Sequence, residues 1–188
     1  MSKAISTFAC AIIILFQSLV ALPQKPINHG GKIETKYDGF SFETVMRLRK
    51  MKVTCTGFKD NFKDGCVSID VALHCPGTQL NHVGSVTLQL IFETKSWDKL
   101  HALDQRDLLV VADTDTLRLG RMRVLPTGDT VMQAGMTEIL EATLPYDVFK
   151  KIAQSQSVEM QVGPSVVELR EKNMAALRDL DSRVLKSR

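Results

Sequence analysis

Val67-Ser68-Ile69-Asp70-Val71-Ala72-Leu73 and Val86-Thr87-Leu88-Gln89-Leu90-Ile91-Phe92 decide the fold class. In the first run Val67, Ile69, Val71 and Leu73 fall on odd positions, and in the second Val86, Leu88, Leu90 and Phe92 fall on even ones. Successive side chains of a strand point to opposite faces, so each run marks a strand with one face buried. Upstream, Phe40, Phe42, Met46 and Leu48 continue the same period on even positions.

Downstream, strands are expected over 107–112, 117–123, 137–144, 158–162 and 166–169. Turn signals separate them at Asp64-Gly65, Pro76-Gly77, Asp113-Thr114-Asp115, Thr127-Gly128-Asp129 and Gly163-Pro164. Eight or more short strands spaced in this way predict a mainly β fold, an antiparallel sandwich or a partly open barrel.

Two stretches depart from period two. Residues 146–154 place Val148, Phe149, Ile152 and Ala153 on one helical face behind Pro145, a residue suited to a helix start. Residues 171–186 carry Met174, Leu177, Leu180 and Val184 as a stripe among charges, which predicts an amphipathic C-terminal helix packed on the core.

The chain has 188 residues, 44% of them hydrophobic and 24% charged. That balance supports one folded domain, expected over 33–188. The net charge is +3, or +2 once Lys3 is subtracted, with both signs interleaved. No nucleic-acid footprint results. The densest basic stretch, Arg47, Arg49, Lys50 and Lys52, reads as a solvated strand face.

Residues 1–22 have the form of a secretory signal: Lys3, then the apolar run Ala11-Ile12-Ile13-Ile14-Leu15-Phe16 continuing through Leu19, Val20 and Leu22. Ala21 suits the position before a cut, while Leu19 is larger than the usual small residue. A cleaved signal with a periplasmic or secreted product is the expectation, and a retained anchor in the inner membrane is the alternative. Membrane contact is expected only in the second case. Residues 23–32, rich in Pro and Gly, read as a flexible tether.

Beyond the leader three cysteines remain, Cys55, Cys66 and Cys75. In an oxidising compartment they allow one bridge and one spare thiol. Cys55 and Cys66 flank a turn-rich loop between two strands, so they are the expected disulfide, with Cys75 the spare.

No nucleophile elbow, zinc-binding His-Glu-x-x-His, phosphate loop or dinucleotide fingerprint occurs. Four weaker constellations remain. Cys66, His74, Cys75 and His82 combine soft-metal ligand types, although their spacing fits no defined site. Asp60-Asn61-Phe62-Lys63-Asp64-Gly65 superficially resembles a calcium loop, but Phe62 stands at a ligand position and Val71 where the closing glutamate belongs. Asp113 and Asp115 are carboxylates at alternate positions, read as a hairpin turn. Asp98 and His101 beside Trp97 would form an acid–imidazole pair if a helical turn formed there. No cofactor or metal is expected.

Several stretches in fixed order resemble a family of uncharacterised exported bacterial proteins. They are Tyr37-Asp38-Gly39-Phe40, Leu90-Ile91-Phe92-Glu93-Thr94 with Trp97, Leu117-Arg118-Leu119-Gly120, Leu144-Pro145-Tyr146, Val158-Glu159-Met160-Gln161-Val162-Gly163 and Leu177-Arg178-Asp179-Leu180. The resemblance implies export and a shared fold but no activity. It leaves out the loop between Cys55 and Cys66.

The expected function is therefore that of an exported binding or structural module of the cell envelope, with an unknown protein or envelope component as partner. Its contact loop is expected at 57–65, with Phe58, Lys59, Phe62 and Lys63 as the contact residues. A membrane-tethered scaffold factor is the first alternative. A small hydrolase or metal-dependent enzyme is the second.

Overall fold

The period-two runs fold as strands, and the two helical stretches fold as helices. The structure, a computed structural model, describes residues 29, 31–55, 67–94, 106–126, 136–163 and 165–184. In chain order the elements are β1 (Lys32–Asp38), β2 (Glu43–Cys55), β3 (Val67–Pro76), β4 (Ser85–Thr94), β5 (Asp107–Ala112), β6 (Asp115–Arg121), β7 (Arg123–Leu125) and β8 (Met136–Leu144). They are followed by α1 (Tyr146–Gln154), β9 (Val158–Val162), β10 (Ser165–Leu169) and α2 (Glu171–Ser182).

All strand pairings are antiparallel. One sheet runs β1-β2-β3-β4-β8-β7 and the other β6-β5-β9-β10, and no barrel closes. The long β2 joins them. Its first half pairs with β1 from Glu43 to Arg49, and its last residues, Thr54 and Cys55, pair with Glu168 and Val167 of β10.

A one-residue bulge in β2 makes this geometry possible. Leu48 lies opposite Val71 and Met51 opposite Ile69, so three steps along β2 match two along β3. The extra residue reverses the inward phase from Met46 and Leu48 to Met51 and Val53, all of them buried. Lys50 takes a left-handed φ of 57° there, and its N–H donates to Asp70 Oδ1 at 2.7 Å. Asp70 is itself buried, 7% exposed, and also faces Arg49 Nε at 3.7 Å.

The inward faces of both sheets meet the two helices in one core. Met51, Ile69, Val71, Leu88 and Leu144 come from the first sheet, Met160 and Leu169 from the second, Phe149 and Ile152 from α1, and Leu177 from α2. The void among them is only 10 Å³, about the size needed to admit a single water, and it is lined by carbon. Burial of this apolar face is the main stabilising term of the fold.

Polar side chains lock the helices down. Asn173, fully buried in the first turn of α2, accepts from the Arg170 N–H at 3.1 Å and donates to the Lys52 carbonyl at 2.9 Å. That single amide ties α2 to β2. Tyr146 of α1 donates to Asp181 Oδ1 of α2 at 2.8 Å.

The structure departs from the periodicity reading in four places. Phe40 and Phe42 are not on the buried face of a strand; they lie in the turn between β1 and β2. The expected strand over 117–123 breaks at buried Met122, which gives β6 and β7. The C-terminal helix stops at Ser182, with Val184 packed against the core beyond it. Finally, β1 begins at Lys32, and just before it His29 is buried, with Nε2 3.2 Å from Asp179 Oδ2 of α2. The end of the expected tether is docked.

Candidate functional site

The ladder between β1 and β2 ends at the Asp38–Glu43 pair, and the chain reverses over residues 39–42. The Asp38 carboxylate accepts the Phe40 N–H at 2.9 Å, a side-chain turn of the kind aspartate favours. This contact holds the Asp38 carboxyl below the usual carboxylate range. The Phe42 carbonyl accepts from the Gly77 N–H at 2.8 Å, and Thr44 Oγ1 donates to the Gly77 carbonyl at 2.8 Å. The tip is thus anchored to the end of β3.

On this turn Phe40 is 98% exposed and Phe42 71%, and Tyr37, near the end of β1, is 43% exposed. Among the described residues, Val124 is the one other large apolar side chain so exposed. Isolated surface apolar residues need no explanation, but three exposed aromatic side chains within six residues at one end of a hairpin mark it out.

The backbone adds a second observation. Phe42 has φ 53°, a left-handed conformation that a bulky residue adopts only at a cost. The other two non-glycine residues in this region are braced. Lys50 sits in the bulge held by Asp70. Asp113 accepts from the Gln156 and Ser157 N–H groups at 2.9 Å each, contacts that draw its carboxyl below the usual range. Phe42 is braced through its carbonyl, which accepts from the Gly77 N–H, while its ring stays exposed.

The outer face of the first sheet carries a polar groove of 340 Å³ over Ala72, lined also by Arg47, Asp70, His74, Thr87, Gln89, Arg123, Glu141 and Thr143. His74 Nδ1 lies 3.2 Å from Glu43 Oε1 and Nε2 3.0 Å from Thr87 Oγ1. Because the Glu43 carboxylate only accepts, Nδ1 is the donor in that contact. Glu141 accepts from Gln89 Nε2 at 2.7 Å and pairs with Arg123. Burial alone would raise the Glu141 carboxyl, but Arg123 and Gln89 outweigh it and hold it below the usual range.

The residues singled out in the sequence separate. His74 faces this groove, while its neighbour Cys75 points into the core as a free thiol. Burial pushes that thiol up, and Glu43 adds to the effect. His82 is exposed in the turn after β3. Adjacent strand residues face opposite ways, so His74 and Cys75 cannot share a metal. Among the described residues no group of three His, Cys, Asp or Glu converges.

Asp113 ends β5 as a turn residue, and Asp115 pairs with Lys151 at 2.7 Å, so the two carboxylates do not act on a common centre. The pairing of Cys55 with Cys66, the contact residues Phe58, Lys59, Phe62 and Lys63, the calcium-like loop, and Trp97, Asp98 and His101 lie outside the described residues. So does the leader. Among the described residues no helix is long and apolar enough to cross a membrane.

Sequence reasoning missed the tip, although Asp38-Gly39 is a turn signal in its own right. The alternation of Phe40 and Phe42 around Ser41 imitates a strand and conceals it. No family model, curated protein or solved structure matches the chain.

Proposed function

We propose that the protein is an exported binding module of the cell envelope that attaches to a partner protein through the aromatic tip of the β1–β2 hairpin. The observation that carries this reading is Phe42: its backbone is held at a left-handed φ by the Gly77 contact to its carbonyl, while its ring is left 71% exposed. Residues held in costly conformations cluster at active and ligand-binding sites. Aromatic side chains are also those that dominate protein interfaces.

The charges around the tip favour a protein over a membrane. Lys36, Asp38 and Glu43 flank the three rings, so there is no basic cluster of the sort that draws a segment to anionic lipid. An apolar groove with a polar rim on the partner fits two phenylalanines presented on a rigid turn. The signal-like residues 1–22 and the resemblance to exported proteins support the compartment.

The test is affinity isolation from the native host with the wild-type protein and with the Phe40→Ser/Phe42→Ser variant, alongside sedimentation with anionic vesicles. The reading expects a discrete partner retained by the wild type and lost with the variant, and no vesicle binding. Equal retention by both proteins, or vesicle binding that depends on the two rings, would overturn it.

A further inference from the structure

The groove on the outer face of the first sheet is a second site, separate from the aromatic tip. Its floor is unusual for a solvent-facing sheet surface. Ala72 and Asp70 sit on the outward side of the central strand β3, yet they are only 5% and 7% exposed. The recess lies over Ala72, the smallest side chain of this face, between Arg47 and Thr87 across the sheet and Asp70 and His74 along the strand.

By register, Arg47, Ala72, Thr87 and Thr143 form one row across β2, β3, β4 and β8, and Asp70, Gln89, Glu141 and Arg123 form the next. Strands lie about 4.8 Å apart, so Arg47 and Thr87 are about 10 Å apart across Ala72, within reach of one small molecule.

Nearly every charge lining the groove is already matched. Asp70 is held by Lys50 N–H and Arg49, Glu141 by Arg123 and Gln89, and His74 by Glu43 and Thr87. Arg47 is the exception, the one lining cation with no ion-pair or hydrogen-bond partner among the described residues. Glu34, opposite it on β1, gives its carboxylate to Lys32 at 2.6 Å and Arg49 at 3.9 Å and feels the Arg47 charge only at longer range. A guanidinium fork with no hydrogen bond of its own, at one end of a recess, is suited to a carboxylate.

The rest of the lining selects for hydroxyl groups. The Thr87 hydroxyl, 3.0 Å from His74 Nε2, keeps hydrogen-bonding capacity beyond that contact, and the Glu141 carboxylate retains lone pairs beyond those used by Gln89 and Arg123. Two matched carboxylates near the middle of the groove oppose a doubly charged anion such as phosphate. We propose that this groove binds a singly charged hydroxy-carboxylate the size of one acidic sugar, its carboxylate on Arg47 and its hydroxyls on Thr87 and Glu141.

Calorimetric titration of the purified protein with D-glucuronate tests this. Saturable binding is expected, weakened about tenfold or more by Arg47→Gln, the loss of one charge-assisted contact. Ala72→Leu, which fills the recess, is expected to abolish it, with a melting curve confirming that each variant is folded. D-glucose and inorganic phosphate are each expected to bind at least tenfold more weakly, glucose lacking the charge and phosphate the hydroxyl pattern. Absence of saturable glucuronate binding, an Arg47→Gln affinity within twofold of wild type, or equal affinity for glucose or phosphate would overturn the assignment.

Discussion

Replacing Phe42 by glycine separates what the tip does for the fold from what it does for a partner. Relieving the left-handed strain at φ 53° should return about 1–2 kcal/mol. Glycine's greater freedom in the unfolded chain takes back about 0.5–1 kcal/mol. Phe42 is 71% exposed, so 29% of it is covered, and at about 2 kcal/mol for a fully buried ring that contact is worth about 0.6 kcal/mol.

The three effects sum to between about −0.6 and +0.9 kcal/mol. In thermal unfolding this amounts to a midpoint shift of less than about 4 °C for a chain of this size. Phe92→Ala in the core, where Phe92 is 0% exposed, is the comparison and should cost about 3–5 kcal/mol. Partner affinity should respond in the opposite sense, since burying the exposed part of the Phe42 ring is worth about 1.5 kcal/mol, or about tenfold in Kd. Denaturant titration and partner retention, read on the same preparation, decide it. A loss of stability above about 1.5 kcal/mol would show that Phe42 is a packing residue and refute the reasoning.

Three further outcomes follow from the polar contacts. Asn173→Ala leaves the Lys52 carbonyl and the Arg170 N–H without their partner and should cost about 2–3 kcal/mol in denaturant unfolding; a change below about 0.5 kcal/mol would remove that amide from the account. Burial would raise the Asp179 carboxyl, yet Arg183 and His29 hold it below the ordinary value in the fold, so its contribution is complete above the ordinary carboxylate range and is lost as pH falls through the depressed value. Asp179→Asn should therefore flatten the fall of stability on the acid side, and an unchanged slope would contradict the pairing. Cys75, fully buried with its thiol pushed up, should resist alkylation in the folded protein and react only on unfolding, which mass spectrometry after timed labelling reads directly.

Much of the fold was legible because burial imposes a period. Leu108, Val110 and Ala112, or Val158, Met160 and Val162, alternate in sequence as they do in the sheet. Phe149, Ile152 and Ala153 bury one helical face as their spacing predicts. The bulge at Arg49 and Lys50 was not legible, because the residue that makes it affordable to the backbone, Asp70, is on another strand. The break at Met122 fails for a similar reason: its neighbours alternate, and only the pairing of β7 with β8 ends the strand.

The two sites were hidden by different causes. At the tip, two exposed phenylalanines at alternate positions carry the same sequence signal as two buried ones. The groove depends on which strands are neighbours: Arg47, Thr87 and Glu141 line one recess because β8 pairs with β4 across the long interval containing β5, β6 and β7. No local pattern encodes that adjacency. Ala72, the residue that opens the recess, reads in sequence as an ordinary small residue in a strand.

The central claim, that the β1–β2 tip is the contact surface, is tested most directly by placing a photo-activatable crosslinking residue at position 40 in the native host. Position 159, an exposed site on β9, serves as the control. The account predicts one discrete protein adduct from position 40 that Phe42→Ser suppresses, and none from position 159. The same adducts from both positions, or no adduct from position 40 in folded protein, would contradict it.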